Sequence, residues 1–349
     1  MTDQIFQAPT GDNELLEEVR SDRKISWLER WLGPENYRIL RGLTRTPASV
    51  IGFIILFIFI LVAIFAPQII PPVGRDAYMM PRDGFSSEPK PIGSPWTRNK
   101  PATIPFWYTP LTGKTEWVHL FGTSQGQRDI FYGVVWGTRT AFQTGIVVVI
   151  STVLIGIILG SVAGYYGGAV DNIIMRITDI FMTLPYILMA LILSAVLTPV
   201  LGRSLLPPLI AMIAFGWMTY ARVIRSDILS IKERDFVLAA KVSGVKNSRI
   251  LFRHILPNAI FPTLVLASLG IGDVVMSFAA LSFLGIGTQE GYADWGQILS
   301  FARNWITSLG NYWWIVVIPG VVLALFVMAW NLIGDAVRDV LDPRMRGKA

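Results

Sequence analysis

Six stretches of this chain are apolar enough, or nearly so, to cross a hydrocarbon core about 30 Å thick. They fall near Pro47–Ile70, Ala141–Tyr165, Ile180–Leu201, Leu205–Tyr220, Ala259–Leu284 and Tyr312–Ile333. The first is the purest, with no polar side chain from Ile51 to Phe65. The fourth is short, which predicts a tilted or partly re-entrant helix. A buried core helix of a soluble protein would not recur this often. The pattern therefore predicts an all-α polytopic membrane protein with six transmembrane helices.

The polar stretches divide the chain into a segment 1–46, a first span 47–70, a loop 71–139, a five-helix core 140–335 with a loop 222–257, and a tail 336–349. The first segment opens Met-Thr-Asp-Gln and is mixed in charge, unlike a signal peptide. The first span is therefore expected to stay as an anchor. Basic residues set the direction. Arg20, Arg23, Lys24, Arg30, Arg38, Arg41 and Arg45 precede the first span, and Arg222, Arg225, Lys232, Arg234, Lys241, Lys246, Arg249 and Arg253 fill the 222–257 loop. Arg338, Arg344, Arg346 and Lys348 crowd the tail, whereas Gly285–Asn311 holds only Arg303. With six spans these basic segments share one side, and the positive-inside rule makes that side cytoplasmic, both termini included. The 71–139 loop then faces outward. Nine prolines between Pro71 and Pro110 make it ordered but irregular. It reads either as a lid over the spans or as a docking surface for an external protein.

Composition adds exclusions. Of 349 residues, 52% are hydrophobic and only 15% charged, against about a quarter charged in soluble chains. Without cysteine there is no disulfide, thiolate site or cysteine nucleophile. Two histidines, His119 and His254, are too few for a polyhistidine metal site. The net charge of +6 is explained by basic loops more simply than by nucleic acid.

Several motifs carry candidate chemistry. Gly113-Lys114-Thr115 could end a phosphate loop, but the glycine that pattern needs five positions earlier is Tyr108. If ATP drives this protein, another chain binds it. Gly156, Gly160 and Gly164 lie at four-residue spacing on one helical face, which points to close helix packing. Asp273 is a carboxylate at membrane depth, with Met276 one turn on. Such a group is costly unless it meets a polar cavity or a partner, so it lines a translocation path, contacts another span, or lies nearer the interface than drawn. Asp335 and Asp339 are expected to pair with Arg338 or Arg344.

The Asp235–Ile260 stretch reads as a basic helix–glycine–helix. A first helix over Ile228–Val242 ends at Gly244, which suits a left-handed cap. Asn247-Ser248 can start a second helix, and Pro257 leads into the fifth span. Such a knob could lie on lipid headgroups or serve as a lever for a soluble partner.

These residues resemble the inner-membrane permease subunits of ABC importers. That family carries Glu-Ala-Ala, three residues, a glycine, about nine residues, then Ile-x-Leu-Pro. Ala239, Ala240, Gly244, Leu256 and Pro257 match at that spacing. Leu238 stands where the glutamate would be and His254 where the isoleucine would be. Arg253–Asn258, reading RHILPN, is similar to the dipeptide/oligopeptide/nickel branch. Further segments resemble its second, C-type permease: His119–Thr140, Trp217–Leu229, Ala280–Gly287 with Asp294–Gly296, and Asn331–Arg346, which holds Gly334, Asp335, Arg338 and Asp339. The first of these keeps Gly122, Thr123, Arg128 and Asp129 of GTDxxGRD but has Ser124 and Gln127 in place of the aspartate and second glycine. The resemblance runs from about His119 to the end and includes the first span. The N-terminal tail and Pro71–Val118 lie outside it.

The resemblance implies the type I importer permease fold with a cytoplasmic coupling helix, in the cytoplasmic (inner) membrane of a prokaryote. It implies a homologous second permease, two cytoplasmic ATP-binding subunits holding ATP and Mg, and an extracytoplasmic substrate-binding protein. This chain itself would bind no cofactor, no metal and no nucleic acid, and would not be an enzyme. The ATPase-coupling loop would comprise Asp235, Leu238, Ala239, Ala240, Gly244, Arg253, His254, Leu256 and Pro257. The cargo would be a di- or oligopeptide; the same transporter class also carries nickel or oligosaccharides. An ion-driven carrier or channel would show internal repeats or paired broken helices, and no inverted repeat is evident. A membrane-embedded enzyme would need converging titratable groups in the spans, where only Asp273 lies at depth.

Overall fold

The computed structural model describes residues 46–341. Five helices are long and apolar enough to cross a membrane, and a bent pair brings the number to six if it counts as one span. The basic residues up to and including Arg45 and those after Leu341, Arg344 among them, lie outside the described residues.

Helix α1, Pro47–Ile69, starts where the Thr46 hydroxyl accepts the Ser49 N–H at 3.3 Å. After an irregular segment and the short α2, Tyr108–Thr112, comes α3, Ile130–Tyr166. It starts eleven residues before the expected Ala141. Asp129 caps it, accepting the Tyr132 N–H at 2.6 Å. Its opening turns carry Tyr132, Trp136, Thr138 and Thr140, all buried against protein rather than lipid. That composition disguised them as loop, so the 71–139 loop ends ten residues earlier, at Asp129.

The third apolar stretch is not one straight helix. α4, Gly168–Met182, and α5, Tyr186–Leu201, meet at 91°. Pro185 supplies no N–H and biases Leu184 away from helix, which fixes the break. α6, Leu206–Ile231, is not short: its 26 residues are enough to cross a membrane. It carries Arg222, Arg225 and Asp227 as helix, so the 222–257 loop begins only at Lys232. The helix expected over Ile228–Val242 is therefore two, α6 and α7, Asp235–Val242.

Beyond it, α8 (Asn247–Ile250), a π turn (Leu251–Ile255) and α9 (Leu256–Phe283) run on as one 37-residue rod. The wide turn ends just before Pro257, whose ring disfavours an ordinary helical turn behind it. α10, Trp295–Phe301, a 3-10 stretch and α11, Leu309–Tyr312, occupy the segment read as loop. α12, Trp314–Leu341, closes the chain.

Packing follows small residues. α3 lies along α6 because Gly156, Gly160 and Gly164 bring their backbones together. A Cβ at Gly160 would strike the Ala221 carbonyl and the Ile224 side chain. α9 packs on α12, α3 and α6, and α1 packs on α12 and α3. Phe59, Trp295 and Phe326 meet where α1, α10 and α12 converge, with centroids 5.3–5.9 Å apart.

Candidate functional site

The Asp235–Ile260 stretch forms a compact mount beyond the ends of α3 and α6. α7 finishes in a double backbone turn: Gly244 N–H donates to Lys241 O at 3.0 Å and Val245 N–H to Ala240 O at 3.2 Å. Gly244 has φ +72°, the left-handed conformation that favours glycine. Asn247 does open the second helix, but its side chain is no cap. Its Oδ1 accepts from the Tyr165 hydroxyl at 2.9 Å, tying the mount to the end of α3. Lys232 adds a second tie, donating to Gly164 O at 3.2 Å.

One side chain roots α7. Val237 is fully buried among Ile228, Ile231, Ile250, Leu251 and Ile255, with Ala240, Val245 and Leu256 packed around them. The opposite face holds Asp235, Leu238, Ala239 and Val242, one turn apart and all exposed. Leu238 is 46% exposed and Val242 90%. The residue standing in for the expected glutamate thus extends an apolar ridge. Arg253 and Pro257 are exposed and His254 half-buried; His254 O accepts from the Asn258 side chain at 2.7 Å. Of the nine expected coupling residues, Asp235, Leu238, Ala239, Gly244, Arg253 and Pro257 are exposed, His254 is half-buried, and Ala240 and Leu256 pack against the buried cluster.

Behind the mount, α6 is latched to α4 by two ion pairs. Arg225 meets Asp171 at 2.5 Å and Arg222 meets Asp179 at 2.6 Å. Neither aspartate stood out in the sequence. The available signal was the helical spacing of Ile173, Ile177 and Ile180 on one side of the stretch before Pro185.

Asp273 and Met276 lie elsewhere. Both are exposed on one face of α9, Asp273 about 15 Å and Met276 about 10 Å from its Phe283 end at 1.5 Å per residue. Asp273 makes no hydrogen bond or ion pair among the described residues, so it is not a satisfied contact between spans of this chain. Asp335, Arg338 and Asp339 are likewise exposed, and the expected pairing of Asp335 or Asp339 with Arg338 does not form. Gly334 instead serves packing, its Cα pressed against Leu269.

The Gly122–Asp129 motif builds a framework at the opposite end of the molecule. Gly122 has φ +69°. Thr123 Oγ1 accepts the Lys90 N–H at 2.7 Å, and Thr123 O accepts from the Trp314 indole at 3.2 Å. Arg128 is buried, meets Glu290 at 3.1 Å and lies over Phe301. Burial lowers its guanidinium pKa below the ordinary value. His119 is enclosed: Nδ1 lies 2.6 Å from Asp129 Oδ2, Nε2 lies 3.0 Å from Asp83 Oδ2, and Trp96 stacks on the ring. Burial alone would raise the Asp83 carboxyl. Hydrogen bonds from Lys90, His119 and the backbone N–H groups of Arg98 and Thr97 outweigh it and hold Asp83 well below the usual carboxylate range. These residues clamp the 71–129 segment onto the 285–313 segment, with Met80 N–H to Gly291 O at 2.8 Å and Ala293 N–H to Tyr78 O at 2.7 Å.

Residues 156–347 match the family of binding-protein-dependent transport system inner membrane components. Residues 37–81 match the N-terminal transmembrane domain of oligopeptide transport permease C, so likeness extends into the loop that the motifs had left outside. The dipeptide transport system permease protein DppC of Alkalihalophilus pseudofirmus is 37% identical over 88% of this chain and 89% of its own length. The oligopeptide transport system permease protein OppC of Bacillus subtilis is 33% identical over 85% and 86%. The probable D,D-dipeptide transport system permease protein DdpC of Escherichia coli is 37% identical over 66% and 75%. With more than half of its length matched and its span pattern in place, this chain belongs to the binding-protein-dependent transport system inner membrane components, as a multi-pass inner-membrane protein.

Proposed function

We propose that this chain is one permease of an ATP-driven, binding-protein-dependent importer of di- and oligopeptides, and that the α7 mount is where a separate ATPase grips it. The dipeptide and oligopeptide names of its relatives support peptides over nickel or sugars. The observation that carries the coupling role is the build of the mount. Its outer face offers Leu238, Ala239 and Val242 to a partner, while its inner face is keyed by Val237 into the cluster joining α6, α8 and α9.

The reading places two ATP-binding subunits, with their ATP and Mg, on the cytoplasmic side, one of them against the mount. Eight basic residues from Arg222 to Arg253 and the basic termini support that sidedness. A homologous second permease completes the path, and an extracytoplasmic binding protein delivers the peptide. Closure of the ATPases pushes α7. The push passes through Val237 to the π turn and α9, and through α6 and its latch to α4. The exposed face of α9 with Asp273 and Met276 faces the path between the two permeases. Alternating access follows only if the ATPases bind the two permease states with different affinity.

Gly244→Val tests the lever. A β-branched residue at φ +72° costs about 1–2 kcal/mol locally, and Gly244→Asn is the tolerated control. The valine variant should assemble with its partners yet lose most peptide-stimulated ATP hydrolysis and uptake, with the asparagine variant near wild type. Wild-type coupling in the valine variant would overturn the lever.

A further inference from the structure

The segment around α2 carries large apolar side chains that the protein holds outward. Phe106 is 89% exposed and Leu111 77%. They are not on a loose strand. Between them Tyr108 is fully buried against Trp117, its hydroxyl accepting the Val118 N–H at 2.8 Å and donating to Glu116 O at 3.2 Å. Leu111 N–H donates to Trp107 O at 3.1 Å, and Gly113 at φ +66° ends the turn. A pinned segment that presents phenylalanine and leucine outward needs a covering medium. Burying each side chain gains about 1.5–3 kcal/mol.

Its position says which medium. The Trp107 indole donates to Gln68 O at 3.4 Å, in the last turn of α1, and its ring lies 6.2 Å from Phe131 in the first turn of α3. α1 is the helix whose Ile54, Phe57, Ile58, Ile64 and Phe65 are exposed along its length, the surface that lipid must cover. The α2 edge continues that surface from the point where α1 ends. Trp107 is only half-buried at this level, and aromatic rings collect at membrane–water interfaces.

We propose that Phe106 and Leu111 form an interfacial anchor, seated in the headgroup–acyl boundary of the leaflet on the loop's side, next to the last turn of α1. The anchor fixes the height of the whole 71–129 framework over the bilayer, as amphipathic elements with an apolar edge do. Phe85 is the built-in contrast. It is 80% exposed but follows Gly84, which packs on Gln127 beyond the start of α3.

The chain has no cysteine, so Phe106→Cys, Leu111→Cys and Phe85→Cys each give a single spin-label site. The labelled permease is assembled with its other subunits, their cysteines replaced, in phospholipid nanodiscs. Labels at 106 and 111 should collide readily with oxygen and several-fold less with a water-soluble nickel chelate than the label at 85. Chelate access at 106 and 111 equal to that at 85 overturns the anchor. Shielding from both reagents also overturns it, because a protein partner would then cover the edge. Hydroxyl-radical footprinting of the unaltered complex in nanodiscs checks water exposure without substitution: Phe85 should be oxidised and Phe106 spared, with the oxygen collisions telling lipid from protein cover, and equal oxidation of the two sinks the anchor.

Discussion

Arg225 grips Asp171 with two parallel bonds, Nε to Oδ1 at 2.5 Å and an Nη to Oδ2 at 2.6 Å, and so fastens the end of α6 to the start of α4. The neighbouring pair, Arg222 to Asp179, is more exposed and has a single bond. Forked, partly buried pairs are the stronger kind, whereas exposed single bonds contribute about 0–1 kcal/mol. Asp171→Asn should therefore cost about 1–3 kcal/mol and Asp179→Asn less than 1. A double-mutant cycle on Arg225 and Asp171, read by denaturant unfolding of the purified permease, should show coupling near 1 kcal/mol or more. Additivity of the two substitutions would mean that the latch is ornamental.

The approach of α3 to α6 leaves no room for a side chain at Gly160, where backbone rather than a movable side chain stands in the way. Gly160→Ala should destabilise by about 1–3 kcal/mol through overpacking, and Gly160→Leu should prevent recovery of folded protein. Ile158→Ala, on a lipid-exposed face two residues away, should stay near neutral. Comparing the folded fraction of the alanine variants in micelles decides this.

The glycine stripe was legible in the sequence because its four-residue spacing has one geometric meaning. So were the apolar stretches and the left-handed Gly244. What stayed hidden shares a physical cause: segments that solve their polarity with protein neighbours rather than with water or lipid. Tyr132, Thr138 and Thr140 look like loop residues until the framework buries them. Arg222 and Arg225 look like loop charges until Asp179 and Asp171 pair with them on a helix. The 91° bend was foreshadowed by Pro185 alone, and proline also occurs unbroken within α1, α5, α9 and α12. Leu238 was legible as a departure from the family pattern, but only the fold pairs it with Val242 on an exposed ridge.

Asp294 predicts a pH-dependent stability for the permease. It caps α10, accepting the Gly296 N–H at 3.0 Å, while its other oxygen is buried without a hydrogen-bond partner. Burial pushes its carboxyl up to about 7, and the hydrogen bonds it accepts offset only part of that. The folded state thus holds the proton more tightly than an unfolded carboxyl, whose pKa is about 3.9. Stability from this group is fullest below pH 4, falls between about pH 4 and 7, and is lowest above. Asp294→Asn keeps the cap and removes the ionisation. It should match wild type near pH 4 and exceed it at pH 8, by up to roughly 4 kcal/mol at 1.36 kcal/mol per tenfold. Melting curves at both pH values read the difference, and parallel pH dependence in the two proteins would refute it.

Leu238 sets the chemistry of the surface proposed to meet the ATPase. The apolar ridge with Val242 implies an apolar recess on the ATPase in place of a polar contact to the glutamate of the family pattern. Leu238 is half-exposed and lies outside the buried cluster that roots α7, so Leu238→Glu should leave permease stability within about 0.5 kcal/mol. Its effect belongs in association. Placing a charge against an apolar recess should weaken ATPase binding by about tenfold, near 1.4 kcal/mol, and Leu238→Ala should weaken it less. Titrating the ATPase onto the permease pair in nanodiscs at two salt concentrations measures both. Tighter binding of the glutamate variant, weakening as salt rises, would show that the recess is basic and that Leu238 is a lost contact rather than a matched one.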